Sequence, residues 1–154
     1  MKYYFLNFCF LFSVLLFIDF GLSPIWDFLN NVLEITPINY FGNEKSISFL
    51  ISIIIIAPLV ETSIFQLLIK YLLDLTFLKF TKNKTIYYSS VSGILFGLTH
   101  IYSLVHILKA CFGGFFFMFF FLKVLNNKDR TNTFLFVTIT HAIWNLFVWF
   151  YRNI

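Results

Sequence analysis

Apolar residues fall into five long runs along the chain, separated by short segments where charges and turn formers collect. The runs cover residues 3–22, 46–73, 86–102, 104–125 and 134–151. Each approaches or exceeds the roughly 20 residues that a helix needs to cross the hydrocarbon core of a bilayer. The pattern predicts an all-α fold, a polytopic transmembrane helix bundle of about five spans. The first run follows Lys2 and ends at Ser23-Pro24. That reads as a helix stop, with no small-x-small cleavage site after it, so a retained span is expected. Residues 25–35 carry the apolar spacing of a short interfacial helix. Two regions result: 1–45, an N-terminal transmembrane helix with an outer loop, and 46–154, a helix bundle.

Composition narrows the class. Apolar residues make up 60% of the chain and charged ones 12%, against roughly 45–50% and 25% in soluble domains. A soluble enzyme, a disordered tail and a disulfide scaffold are therefore excluded. Of the 154 residues, 24 are Phe, and the Phe-rich run 115–121 is expected to face lipid. Cys9 and Cys111 lie inside apolar runs without a CxxC partner.

The net charge of +4 reads as topology and not as nucleic-acid binding, because the basic residues sit between the spans. Lys2, the connector with Lys79, Lys82 and Lys84, and the connector at 123–130 would all face the cytoplasm. The N-terminus would then be cytoplasmic, with the acidic 23–45 loop and the C-terminus outside. The expected partners are the lipid bilayer and a membrane-associated peptide or protein.

Candidate chemistry sits where polarity is most expensive. An ionisable group at membrane depth costs about 2.5–3.5 kcal/mol on insertion scales, so each needs a reason. Glu61 is the one acidic residue deep inside a run, following Ala57 and Pro58; a proline there bends the helix and opens space. Asp19 lies near a span end. His100 ends a stripe with Ser89, Gly93 and Gly97, a close-packing face that points it into the bundle. His141 and Asn145, four apart, share one face of the fifth run, with Thr138 a turn earlier. His106 reads as interfacial. A carboxylate can act as general base toward water, and a histidine with an amide can donate to a developing oxyanion. The same groups can ligate Zn2+, with Glu61, His100 and His141 as its ligands, or form a proton or cation path.

The order of these motifs resembles the CPBP intramembrane proteases (CAAX proteases and bacteriocin-processing proteins, also called the Abi family). The family pattern is Glu-Glu-xxx-Arg, then Phe-xxx-His, then His-xxx-Asn or Asp. Here the second motif is Phe96-Gly97-Leu98-Thr99-His100 and the third is His141-Ala142-Ile143-Trp144-Asn145. The first keeps Glu61 but carries Thr62 and Gln66 in place of the second Glu and the Arg. The resemblance spans about residues 46–151 and makes 46–154 a CPBP-like catalytic bundle.

It implies an intramembrane endopeptidase in which Glu61 and His100 activate water while His141 and Asn145 stabilise the oxyanion. Thr62, Gln66 and Phe96 would support them. No metal is required in that reading, although Zn2+ fits the donor types. The implied location is a bacterial cytoplasmic membrane. The rival reading is a catalytically weak or inactive relative acting as a bacteriocin self-immunity or membrane scaffold protein. One geometric tension stands out. Glu61 lies about 22 Å from the start of its run while His100 lies a few Å from the outer end of its own, at 1.5 Å per residue.

Overall fold

The computed structural model describes residues 2–33 and 46–153. Six helices are named here in chain order: α1 (Lys2–Gly21), α2 (Ser23–Val32), α3 (Ile47–Asp74), α4 (Lys84–Leu98), α5 (Leu104–Leu125) and α6 (Arg130–Asn153). A 3-10 turn, Phe77–Phe80, links α3 to α4. Among the described residues there is no strand. The expected interfacial helix appears as α2. Residues 34–45, including the rest of the expected outer loop, lie outside the described residues.

Helices α1, α3, α5 and α6 are long and apolar enough to cross a membrane. Large side chains such as Phe5, Ile47, Val60 and Leu135 stand exposed on them, an arrangement suited to lipid and not to water. The protein is an integral membrane helix bundle. Tyr3 Oη donates to the Lys123 carbonyl and accepts from Asn127 Nδ2. A small cavity is lined jointly by Lys84, Leu122 and Asn126. The N-terminus and both basic connectors therefore gather at one end of the bundle.

The third run departs from expectation. Its apolar pattern predicts a span over 86–102, but α4 has only 15 residues, about 22 Å of helix against a hydrocarbon core of roughly 30 Å. The chain stops it locally. The Phe96 carbonyl accepts from Thr99 Oγ1 (2.7 Å) and from His100 Nδ1 (2.8 Å), and Ser103 Oγ then caps α5 by accepting from His106 N. Residues 99–103 thus form irregular backbone that lines a cavity through His100 and Tyr102 while Ile101 stands exposed, a setting in which a membrane bundle tolerates it. The depth tension disappears, because His100 follows a short helix and does not end a full span.

The core centres on α5. Phe117, Met118, Phe120 and Phe121 are each no more than 2% exposed and pack with Leu11 and Leu15 of α1, Ile69 of α3, Tyr88 of α4 and Val137 and Trp144 of α6. The expectation that 115–121 faces lipid is therefore corrected. Phe supplies volume at the centre of the bundle, beside Leu, Ile, Tyr and Trp side chains from four other helices. Helices α4 and α5 approach closely because Gly93 and Gly97 carry no Cβ. One added at Gly93 would lie 2.5 Å from the Cys111 carbonyl oxygen and 2.9 Å from Phe115 N. The small-residue stripe faces the bundle as expected.

Three π-helical stretches, Phe17–Gly21, Ser52–Ile56 and Thr62–Leu68, widen α1 and α3. In each, a backbone N–H reaches five residues back and deserts the carbonyl four back: Leu22 N to Phe17 O, Ala57 N to Ser52 O, and Ile69 N to Ile64 O. The deserted carbonyls belong to Ile18, Ile53 and Phe65, and each accepts from a side chain. The donors are Trp26 Nε1 (2.6 Å), Asn145 Nδ2 (2.8 Å) and Ser92 Oγ (2.8 Å). Buried carbonyls need partners, so the widened turns stitch α1 to α2, and α3 to α4 and α6.

Candidate active site

Glu61 ends a short α-helical segment, Ala57–Glu61, held between the two π stretches of α3. Pro58 shapes this segment from below. In the widened turn the next donor available to the Ile53 carbonyl would be the N–H of residue 58, and proline has none. Asn145 of α6 fills that vacancy. The same helix face then brings His141 level with Glu61, one turn along.

The carboxylate stands between two imidazoles. Glu61 Oε2 lies 3.3 Å from His141 Nε2, and Glu61 Oε1 lies 3.9 Å from His100 Nε2. Each ring is backed by an aromatic. His100 stacks on Phe96 at 4.4 Å and His141 on Phe117 at 4.4 Å. The His100 tautomer follows from its bond to Phe96. A carbonyl only accepts, so Nδ1 carries the proton and the Nε2 lone pair of the neutral ring faces Glu61. His141 is the most buried of the three side chains, 5% exposed against 20% for His100 and 23% for Glu61.

Glu61, His100, His141 and Asn145 line one cavity of about 280 Å3. Small residues on facing helices, Ala57, Ala110 and Gly113, leave its volume free. The sequence-predicted residues are thus assembled from α3, α6 and the loop after α4. Phe96 also lines the cavity, while Thr62 and Gln66 lie buried on the far side of the α3 backbone turn, 0% and 2% exposed.

Four further lining residues were read differently or not at all from sequence. His106 was expected at the interface but lines the cavity, 6.0 Å from the His100 ring and 5.0 Å from Tyr102. Asp19, expected near a span end, pairs across helices with Lys109 at 3.6 Å. Lys109 and Tyr102 carried no motif that could single them out. Among the described residues, no group of three or more His, Cys, Asp or Glu is arranged to hold a metal ion.

A family model described as type II CAAX prenyl endopeptidase Rce1-like matches residues 43–147, about two-thirds of the chain. The chain belongs to that family. No curated protein and no solved structure matches it.

Proposed function

We propose, with membership of the type II CAAX prenyl endopeptidase Rce1-like family as the premise, that the protein hydrolyses a peptide bond of a membrane-associated peptide or protein in this cavity. One observation carries the reading: a carboxylate flanked by two imidazoles, on a helix long and apolar enough to span a membrane, lining a cavity of about 280 Å3. Glu61 takes a proton from water as general base, and the His100 Nε2 lone pair accepts from and orients the same water. The water oxygen attacks the scissile carbonyl carbon, and Glu61 passes the proton to the leaving amine. Because carboxylate oxygens only accept, His141 presents Nε2–H toward Glu61 and the incoming carbonyl. One Asn145 amide hydrogen is spent on Ile53, and the other is available to the oxyanion. Zn2+ is not needed for any of these steps. The basic end of the bundle faces the cytoplasm of a bacterial cell, carrying the N-terminus with it.

Glu61→Gln keeps the side chain's shape and removes the base. Cleavage should fall to background while the protein remains inserted with an unchanged melting temperature. Full activity in that variant refutes the reading. A second reading rests on Thr62 and Gln66, which lack the family's charges: a non-catalytic bacteriocin self-immunity or scaffold protein. Cell protection that survives Glu61→Gln would select it.

A further inference from the structure

A peptide that fills the Glu61 cavity also displaces water from it, yet hydrolysis needs one water that the substrate does not exclude. Four buried polar atoms bear on this. Among the described residues Thr62 Oγ1, Gln66 Oε1, Ser89 Oγ and Thr138 Oγ1 have no hydrogen-bond partner. Their residues are 0%, 2%, 0% and 8% exposed. Helical hydroxyls have an easy alternative, the carbonyl four residues back. Ser13, Ser52, Ser63 and Thr140 all take it. Thr62, Ser89 and Thr138 leave it and turn into the interior.

Hydrogen bonds between the helices bracket where these groups lie. On α4, Ser92 bonds to Phe65 and Tyr88 Oη donates to Asp74 Oδ1 at 3.0 Å. Helix α4 therefore runs antiparallel to α3, and Ser89 falls between those two levels, as Gln66 does. On α6, Asn145 pairs with Ile53 and His141 with Glu61. The next turn, Thr138, continues past Glu61 toward Thr62 and Gln66. All four groups lie on one side of Glu61. Beyond them is the second cavity, about 180 Å3, lined by Lys70, Asp74, Lys84 and Tyr88 at the basic end. Thr62, Gln66, Lys70 and Asp74 follow at intervals of four along α3.

We propose that Thr62, Gln66, Ser89 and Thr138 hold ordered water that links this second cavity to Glu61 and hydrates the carboxylate from the side opposite the substrate. A buried water makes about three hydrogen bonds to groups that would otherwise lack partners, and these four supply them from three helices. The proposal rests on the reading of Glu61 as the general base, and it gives the substitutions of the family Glu and Arg a role. The positions stay polar and become a place for water.

Silver ion is close to water in size and binds soft thiolates, so it reports water-filled paths too narrow for organic reagents. In full-length protein with Cys9→Ser and Cys111→Ala, single thiols are placed at Ser89→Cys, Thr138→Cys and Val137→Cys. Val137 is equally buried, 0% exposed, but faces the apolar core. Folded protein in micelles is exposed to Ag+, quenched, unfolded and labelled with a maleimide. Loss of labelling at residues 89 and 138 with retention at 137 is the expected result. Full labelling at both 89 and 138 overturns the proposal, and either variant suffices if the other fails to fold. In the native-thiol protein, Thr62→Val with Gln66→Met should lower kcat about five- to tenfold at unchanged KM, the equivalent of one hydrogen bond. An unchanged kcat beside protected thiols overturns the hydrating role. Cleavage that survives Glu61→Gln would overturn the hydrolase reading and leave the silver result standing.

Discussion

Asn145 is asked to do two things, and a double-mutant cycle can separate them. Its Nδ2 donates to the Ile53 carbonyl at 2.8 Å. That carbonyl lost Ala57 N–H to Ser52 in the widened turn, and Pro58 offers no donor in its place. Asn145→Leu keeps the branched shape and strands the carbonyl. A buried unsatisfied group costs about 1–3 kcal/mol, while measured interhelical hydrogen bonds in membranes run about 0.6–1.7 kcal/mol. The expected loss is therefore about 1–2 kcal/mol by these scales.

In a Pro58→Ala background the new N–H lies five residues on from Ile53 and completes the widened turn. The same Asn145→Leu change should then cost less than half as much, a coupling near 1 kcal/mol. Reversible SDS unfolding in mixed micelles measures all four corners. Equal costs in the two backgrounds, within the roughly 0.3–0.5 kcal/mol expected of independent sites, would refute the stitch. Cleavage should behave differently from stability. The double variant regains stability but lacks the donor proposed for the oxyanion, and on that reading kcat should fall by roughly 10²–10³.

Two other predictions concern packing and a cap. Gly93→Ala would press its Cβ on backbone atoms of Cys111 and Phe115, so it should cost roughly 1–3 kcal/mol by overpacking. Gly97→Ala presses partly on Cys111 Sγ; Cys111→Ala should recover part of that loss and none of the Gly93→Ala loss, as read by melting temperature. At the start of α6, Asp129 Oδ1 accepts from Asn132 N at 2.9 Å, and this bond to the backbone holds its carboxyl below the ordinary value of 3.8. The cap therefore stabilises α6 fully above that ordinary value and is lost as pH falls through the lowered one. The melting difference between wild type and Asp129→Asn should be present at neutral pH and vanish in strong acid.

Much of the fold and the candidate site was legible in the sequence because membranes enforce simple rules. Apolar run length gave four spans within a few residues, and the expense of polarity in lipid picked out Glu61, His100, His141 and Asn145, which the fold gathers around one cavity. What escaped had no signature in hydropathy. The end of α4 depends on two side chains competing for the Phe96 carbonyl, and a run of apolar residues continues straight through it. The Phe-rich stretch of α5 looks the same whether it meets lipid or other helices; only the packing of five neighbours decides. Lys109 and Asp19 find each other across α1 and α5, a pairing distant in sequence. The π stretches depend on which N–H deserts which carbonyl, and of the elements involved only Pro58 was visible beforehand.

The replacements at 62 and 66 decide how Glu61 is compensated. A lone charge at either position would be stranded in a site no more than 2% exposed, at a cost of several kcal/mol. Losing both avoids that cost but leaves the carboxylate without the cation that the family motif carries at the position of Gln66. Compensation then falls to the imidazole of His141, which the Asn145 stitch on α6 holds 3.3 Å from the carboxylate. Both rings lie within 4 Å of the carboxylate, so a change at Phe96 or Ile53, neither of which is ionisable, reaches Glu61 by moving a ring. Backbone carbonyls hold both rings in place: Phe96 fixes the tautomer of His100, and Ile53 fixes the register of His141 through Asn145.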